Sequence, residues 1–186
     1  MSSPLGIIVD GEGDFASLRR RFREGVRVVK TDGPRGHQTP VGDIVTRSRK
    51  QISILQGYRC REAIVMLDHE SRQQDYKSFV QDLQAAFSAA DLGIPVHVAV
   101  PNRMIENWYL ADIEHLSVRK AFLRKGLRQK RYEGSDGKAH IKRCMKPGHS
   151  YRETKHGPEM FAILRFPVAR KNSPSFDRLL KLMRRR

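Results

Sequence analysis

Leu5-Gly6-Ile7-Ile8-Val9-Asp10-Gly11-Glu12-Gly13-Asp14 is the stretch on which the fold of this chain turns. A short apolar run that stops at Asp-Gly reads as a buried strand ending in a turn. Phe15, Leu18 and Phe22 then recur at helical spacing, with Arg19, Arg20, Arg21 and Arg23 between them, and Gly25 closes that helix. Val26 to Lys30 reads as a second strand and Thr31 to Pro40 as a Gly/Pro-rich loop. Val41, Ile44, Val45, Ser48, Ile52 and Leu55 form one helical stripe, ended by Gly57. Ala63 to Leu67 is a third buried strand, and it too runs into an acid, Asp68. Tyr76, Phe79, Val80, Leu83, Phe87 and Ala90 mark an amphipathic helix closed by Gly93. Ile94 to Val100 predicts a fourth strand, and a short helix follows around Ile105, Trp108 and Tyr109.

Strands alternating with helices of this length predict a three-layer α/β sandwich around a mostly parallel sheet. The pattern fades after Leu116. The expected division is therefore a core over residues 1–116 and a basic C-terminal extension over 117–186. Within the extension, 117–131 reads as a basic helix and 132–158 as an irregular arm or loop. Ser173-Pro174-Ser175 caps a final helix with Phe176, Leu179, Leu180 and Met183 on its apolar face, packed on the core.

The 186 residues suffice for one domain with a real core, and 39% hydrophobic content suits a folded chain. No apolar run has the length of a membrane span, and Met1 to Leu5 lacks the features of a signal peptide. Two cysteines, Cys60 and Cys144, make no disulfide framework, so a cytoplasmic location is expected. Cys60 has no histidine beside it and reads as an inert thiol.

The net charge of +16 is unevenly placed. Residues 1–118 hold 15 basic and 15 acidic side chains, whereas 119–186 hold 21 basic and 5 acidic. A solvated face mixes both signs; a one-sided excess concentrates polyanions. The expected partner is nucleic acid, DNA or RNA, ahead of an anionic membrane, another acidic partner or, for Arg184-Arg185-Arg186, a purely solubilising tail. Its contacts are expected at Arg119, Lys120, Arg124, Lys125, Arg128, Lys130, Arg131, Lys142, Arg143, Lys146 and His156.

Ligands of open α/β sheets bind beyond the carboxyl ends of the strands. Two predicted strands end there in acids: Asp10, Glu12 and Asp14 after the first, Asp68 and Glu70 after the third. Glu106 follows the fourth strand on the same edge. Asp and Gly are also ordinary turn residues, and one such strand end would mean little. Two suggest carboxylates crowded enough to require a cation, and hard oxygen ligands select Mg²⁺ or Mn²⁺. No Gly-rich phosphate loop is present: Gly11 and Gly13 lie in the acidic turn. A carboxylate metal site beside a basic surface suits phosphodiester hydrolysis.

These residues resemble a TOPRIM-like family, the domain of unknown function numbered 4276. The resemblance rests on the acidic-Gly turn, the Asp68-His69-Glu70 pair and Glu106-Asn107-Trp108-Tyr109-Leu110-Ala111-Asp112. It rests also on Ser150-Tyr151-Arg152-Glu153-Thr154-Lys155-His156-Gly157-Pro158, followed by Ser173-Pro174-Ser175-Phe176. The resemblance implies a TOPRIM/Rossmann-like fold and a Mg²⁺ site like that of topoisomerases, primases and overcoming-lysogenization-type nucleases. By position, Asp10 takes the place of the first-strand acid, Asp14 that of the acid four residues on, and Asp68 with Glu70 that of the Asp-x-Asp pair. Asp10 departs from the usual Glu and Glu70 from the usual Asp. The resemblance further implies a link with phage defence and a neighbouring ATPase partner.

The expected activity is a metal-dependent nuclease with Asp10, Asp14, Asp68 and Glu70 as metal ligands. Glu106 would be a further ligand or base, and Lys155 a stabiliser of transition-state charge. The alternatives are a non-catalytic subunit that holds nucleic acid or an ATPase, and a PIN-like nuclease, which also begins with a strand ending in Asp-Gly-acid. His140, Cys144, His149 and His156 fit no familiar zinc spacing. Trp108 and Tyr109 could stack on bases, though core packing is the expectation for Trp108.

Overall fold

The computed structural model describes residues 3–22, 24–31 and 38–184. The readings at Arg23, at 32–37 and at the final two arginines lie outside the described residues.

Four parallel strands form one sheet in the order β2-β1-β3-β4. They are β1 (Leu5–Val9), β2 (Val26–Lys30), β3 (Ala63–Met66) and β4 (Val96–Val98). Every residue of β1 and of β3 is buried, as strands covered on both faces must be. Side chains alternate between two cores. Leu5, Ile7, Val9, Ile64 and Met66 pack on one face with α1 (Glu12–Arg21). Ile8, Ala63 and Val65 pack on the other with α2 (Val41–Gly57) and α3 (Tyr76–Ala89). The three layers expected from the sequence are therefore present. Gly6 is required there: a Cβ on it would lie 2.5 Å from a Leu55 methyl, so its absence lets α2 settle onto the sheet.

Beyond β4 come α4 (Glu106–Leu110) and α5 (Ile113–Arg119). The segment 117–131 is not the basic helix expected. Helix α5 stops at Arg119, and the chain then turns, with Gly126 at a φ of +71° and Leu123 bridging antiparallel to Met145. Adjacent Phe122 and Leu123 are both buried, which a one-faced surface helix does not allow.

Nor is 132–158 an irregular arm. It holds α6 (Gly137–Cys144) and the start of α7 (Glu153–Phe161). Asp136 caps α6 by accepting a 3.0 Å bond from the Ala139 amide. Helix α7 buries His156, Gly157 and Pro158 against the core, a face that hydropathy does not register. Helices α8 (Phe166–Asn172) and α9 (Pro174–Met183) follow. The Ser173 cap forms as the sequence predicts: its hydroxyl accepts from the Phe176 amide at 3.3 Å. Phe161, Leu164, Ala169, Phe176 and Leu179 join the same core as Ile7 and Leu18, so the last third of the chain shares the hydrophobic interior of the first.

Candidate active site

In this strand order the chain leaves β1 toward β2 on one side of the sheet and reaches β3 on the other. The carboxyl ends of β1 and β3 thus flank a topological switch point, where a crevice forms. Val9 is in register with Met66, which puts Asp10 one residue past β1 beside Asp68, two residues past β3. The crevice is lined by Asp10, Glu12, Asp14, Asp68, Glu70 and Glu106, every acid singled out from the sequence.

Each acid is held differently. Asp14 sits in the first turn of α1 and is buried. Gly11 makes room for it, since a Cβ there would lie 2.9 Å from the Asp14 carboxylate. Glu12 pairs with Lys30 of β2. Asp68 accepts a 3.1 Å bond from the Ile105 amide. Glu70 stands at a φ of +50°, its amide donating to the Arg103 carbonyl at 2.6 Å. Glu106 is 1% exposed; its Oε1 accepts from the Tyr151 hydroxyl at 2.9 Å, and its Oε2 has no hydrogen-bond partner among the described residues.

Crowding has an electrostatic consequence. The Asp14 carboxyl is pushed well above its ordinary range by burial, then by the neighbouring Asp10 and Glu106. Asp68 is raised likewise, by burial, then by Asp14 and Glu106. Burial also raises Glu106, against the pull of Lys138. Anionic carboxylates in such a site need positive charge nearby.

Among the described residues two cations lie on the crevice wall, and neither was singled out from the sequence. Arg72 follows β3; burial lowers its guanidinium, while Asp10 and Glu70 oppose that. Lys138 comes from α6 and donates to Glu153 Oε1 at 3.0 Å. Burial works to lower its ammonium, but Glu106 and Glu153 outweigh that and leave it raised. Tyr151 and Glu153 complete the wall. They belong to the Ser150–Pro158 segment, whereas Lys138 is one basic residue among many and carries no sequence signal. Tyr109 lies behind the acids, its hydroxyl 3.0 Å from that of Ser17.

Lys155 is exposed and is not on the crevice wall. His156 is buried, its Nδ1 accepting from the Arg152 amide at 2.9 Å, so it faces inward and not toward phosphate. Burial, then Lys155, lowers its imidazole below the usual range. Trp108 is fully buried and donates to Ser175 Oγ at 2.8 Å, and Tyr109 is buried too; neither is available for stacking. Arg119, Arg124, Lys125, Arg128, Lys130, Arg131, Lys142 and Arg143 are exposed. Lys120 and Lys146 are half-buried, Lys120 paired with Glu159 at 3.7 Å.

Residues 16–184 match the family model described as a domain of unknown function (DUF4276). The chain belongs to that family. No curated protein and no solved structure matches the chain. The match begins just past Asp14, so this DUF4276 chain brings the acids of β3 and α4 and the Tyr151 segment from within the matched region and those of β1 from outside it.

The donors suit a hard divalent cation in kind: they are all carboxylate oxygens, and one buried oxygen is without a partner among the described residues. Among the described residues no three acidic, histidine or cysteine side chains already converge at coordinating positions.

Proposed function

We propose that this DUF4276 protein is a TOPRIM-like, Mg²⁺- or Mn²⁺-dependent nuclease that hydrolyses phosphodiesters of DNA or RNA. One observation carries the reading. Glu106, whose buried Oε2 has no hydrogen-bond partner among the described residues, lines the same crevice as Asp10, Asp14 and Asp68, with Lys138 and Arg72 on its wall. Asp10, Asp14, Asp68 and Glu70 would hold the cation. When bound, the cation polarises a phosphoryl oxygen and makes water more acidic.

The chain's own residues do the rest. Lys138 and Arg72 hold the non-bridging phosphate oxygens and stabilise the charge that builds on them. Tyr151 fixes Glu106 through Oε1, leaving Oε2 to accept the proton of the attacking water. The exposed basic residues of 119–143 keep the polyanion in place without reading bases. The family resemblance adds a role in phage defence and an ATPase partner.

Plasmid, single-stranded DNA and tRNA incubated with Mg²⁺ or Mn²⁺ test the reading. Cleavage is expected, with loss in Asp68→Asn and Glu106→Gln of about a hundredfold or more. In parallel, Mn²⁺ at a hundredfold excess over its Kd should stabilise the wild type by about 2.7 kcal/mol in a thermal melt and leave Asp68→Asn unmoved. Binding that ignores EDTA, with no cleavage, would replace the enzyme by a binding module.

A further inference from the structure

The sheet has two edges, and the chain treats them differently. The β4 edge is closed by side chains. Gln84 Nε2 donates to the Val96 carbonyl at 3.0 Å, Gln84 Oε1 accepts from the Val98 amide at 2.9 Å, and Arg178 Nε donates to the Val98 carbonyl at 3.3 Å. Gln84 thereby stands in for a missing strand.

The β2 edge has no such bracket among the described residues. The Gly25 carbonyl accepts from Leu5 and the Thr31 amide donates to Val9, so the odd-numbered residues of β2 face β1. The amides and carbonyls of Val26, Val28 and Lys30 therefore point outward. Of these, among the described residues, only the Lys30 carbonyl meets a side chain, Gln51 Nε2 at 3.5 Å. A groove runs along this edge between the two helical layers. Phe15 and Phe22 of the α1 side form one wall, Ile54 and Tyr58 of the α2 side the other. Ile54 is 41% and Tyr58 54% exposed, two of the three large apolar side chains most open to water among the described residues. Each wall carries an arginine over an aromatic ring: Arg19 on Phe15 at 5.2 Å and Arg27 on Tyr58 at 5.6 Å.

We propose that the β2 edge is a docking site for an extended, acid-rich segment of a partner protein, which adds to the sheet as a fifth strand beside Val26 and Val28. An added strand alternates its side chains between the Phe15/Phe22 and Ile54/Tyr58 walls while its backbone satisfies the outward groups. The arginines choose its charge. A second copy of this chain would bring its own Arg19 and Arg27 against these two, which disfavours self-pairing. A nucleic acid backbone would suit the arginines, but its phosphate oxygens would face the Val26 and Val28 carbonyls. A polypeptide offers both donor and acceptor. This site lies on the strand edge, independent of the acidic crevice and of the nuclease reading.

A fluorescent eight-residue peptide repeating two glutamates and two valines is the probe, with its glutamate-to-lysine counterpart as control. Binding to the full chain is read by anisotropy, and its place by hydrogen exchange at the Val26 and Val28 amides. Saturable binding of the acidic peptide alone, with slowed exchange at both amides, is expected. It should weaken about tenfold or more in Arg27→Glu and in Tyr58→Ser, exposed positions whose change should leave the melting temperature unmoved. Unslowed exchange at Val26 and Val28 would overturn the proposal. So would displacement of the peptide by a single-stranded oligonucleotide that slows the same amides. A dimer in sedimentation that Tyr58→Ser dissolves would overturn it in favour of a second copy.

Discussion

At the scale of the residue, Gly137 shows how little room the crevice leaves. A Cβ there would lie 2.8 Å from Glu106 Cβ, 3.0 Å from the Asn107 amide nitrogen and 2.6 Å from Asn107 Oδ1. Two of these neighbours cannot swing away, because one is backbone and the other is the root of a buried side chain. Gly137→Ala should therefore lower stability by about 1–3 kcal/mol in urea unfolding, and it should displace Glu106, weakening the response to Mn²⁺. The acids were legible as residues because each ends a strand or begins a helix. Lys138 was not, because the sequence shows a lysine but not that its ammonium reaches Glu153 and bears on Glu106 across the crevice.

Elements carry the next set of consequences. Helix α9 is secured at its start by Ser173, which accepts from the Phe176 amide and donates to Glu133 Oε2 at 2.6 Å. Glu133 Oε1 in turn accepts from the Ser175 amide at 2.9 Å. Ser173→Ala removes the cap and one partner of that carboxylate. Its unfolding free energy, measured in denaturant, should fall by about 1–2 kcal/mol. Helices α1, α2, α3 and α9 could be read from their apolar stripes. Helix α6, which buries Gly137, Ile141 and Cys144, could not, nor could the first turns of α7, where His156, Gly157 and Pro158 are buried ahead of Met160 and Phe161. Gly157 is the clearest case: a Cβ on it would lie 3.2 Å from the Tyr109 hydroxyl of α4 and 3.4 Å from Ser17 Oγ of α1, so its smallness lets α7 lie against both helices. Propensity scores such residues as helix-breaking, but packing requires them.

The whole molecule responds to pH and salt in ways its charges dictate. Asp14, Asp68 and Glu106 all hold their protons more tightly folded than unfolded. Their contribution to stability is fully present below the unfolded carboxyl pKa of about 4 and is lost as pH rises through the raised folded values. Without divalent cations, the melting temperature should thus decline from pH 4 toward neutrality on account of this cluster, and Glu106→Gln should flatten the decline; an equally steep slope in that variant would discount the cluster. Nucleic acid affinity should fall linearly on a log–log salt plot. Replacing Arg124, Arg128, Lys130 and Arg131 by serine should reduce the slope by about 0.7–0.9 for each phosphate that is no longer neutralised. By itself, the sequence determined the parallel α/β layering, the Asp10 and Asp68 strand ends and the excess of basic residues over 119–186. These are local facts: apolar period, turn chemistry and charge count. Only the tertiary structure decided that residues 117–184 join the core of the first part, that Lys138, Tyr151 and Glu153 wall the crevice, and that, among the described residues, one sheet edge is closed by side chains and the other is not. Each of those depends on which distant groups meet, and neither periodicity nor composition encodes a meeting between residues far apart in the chain.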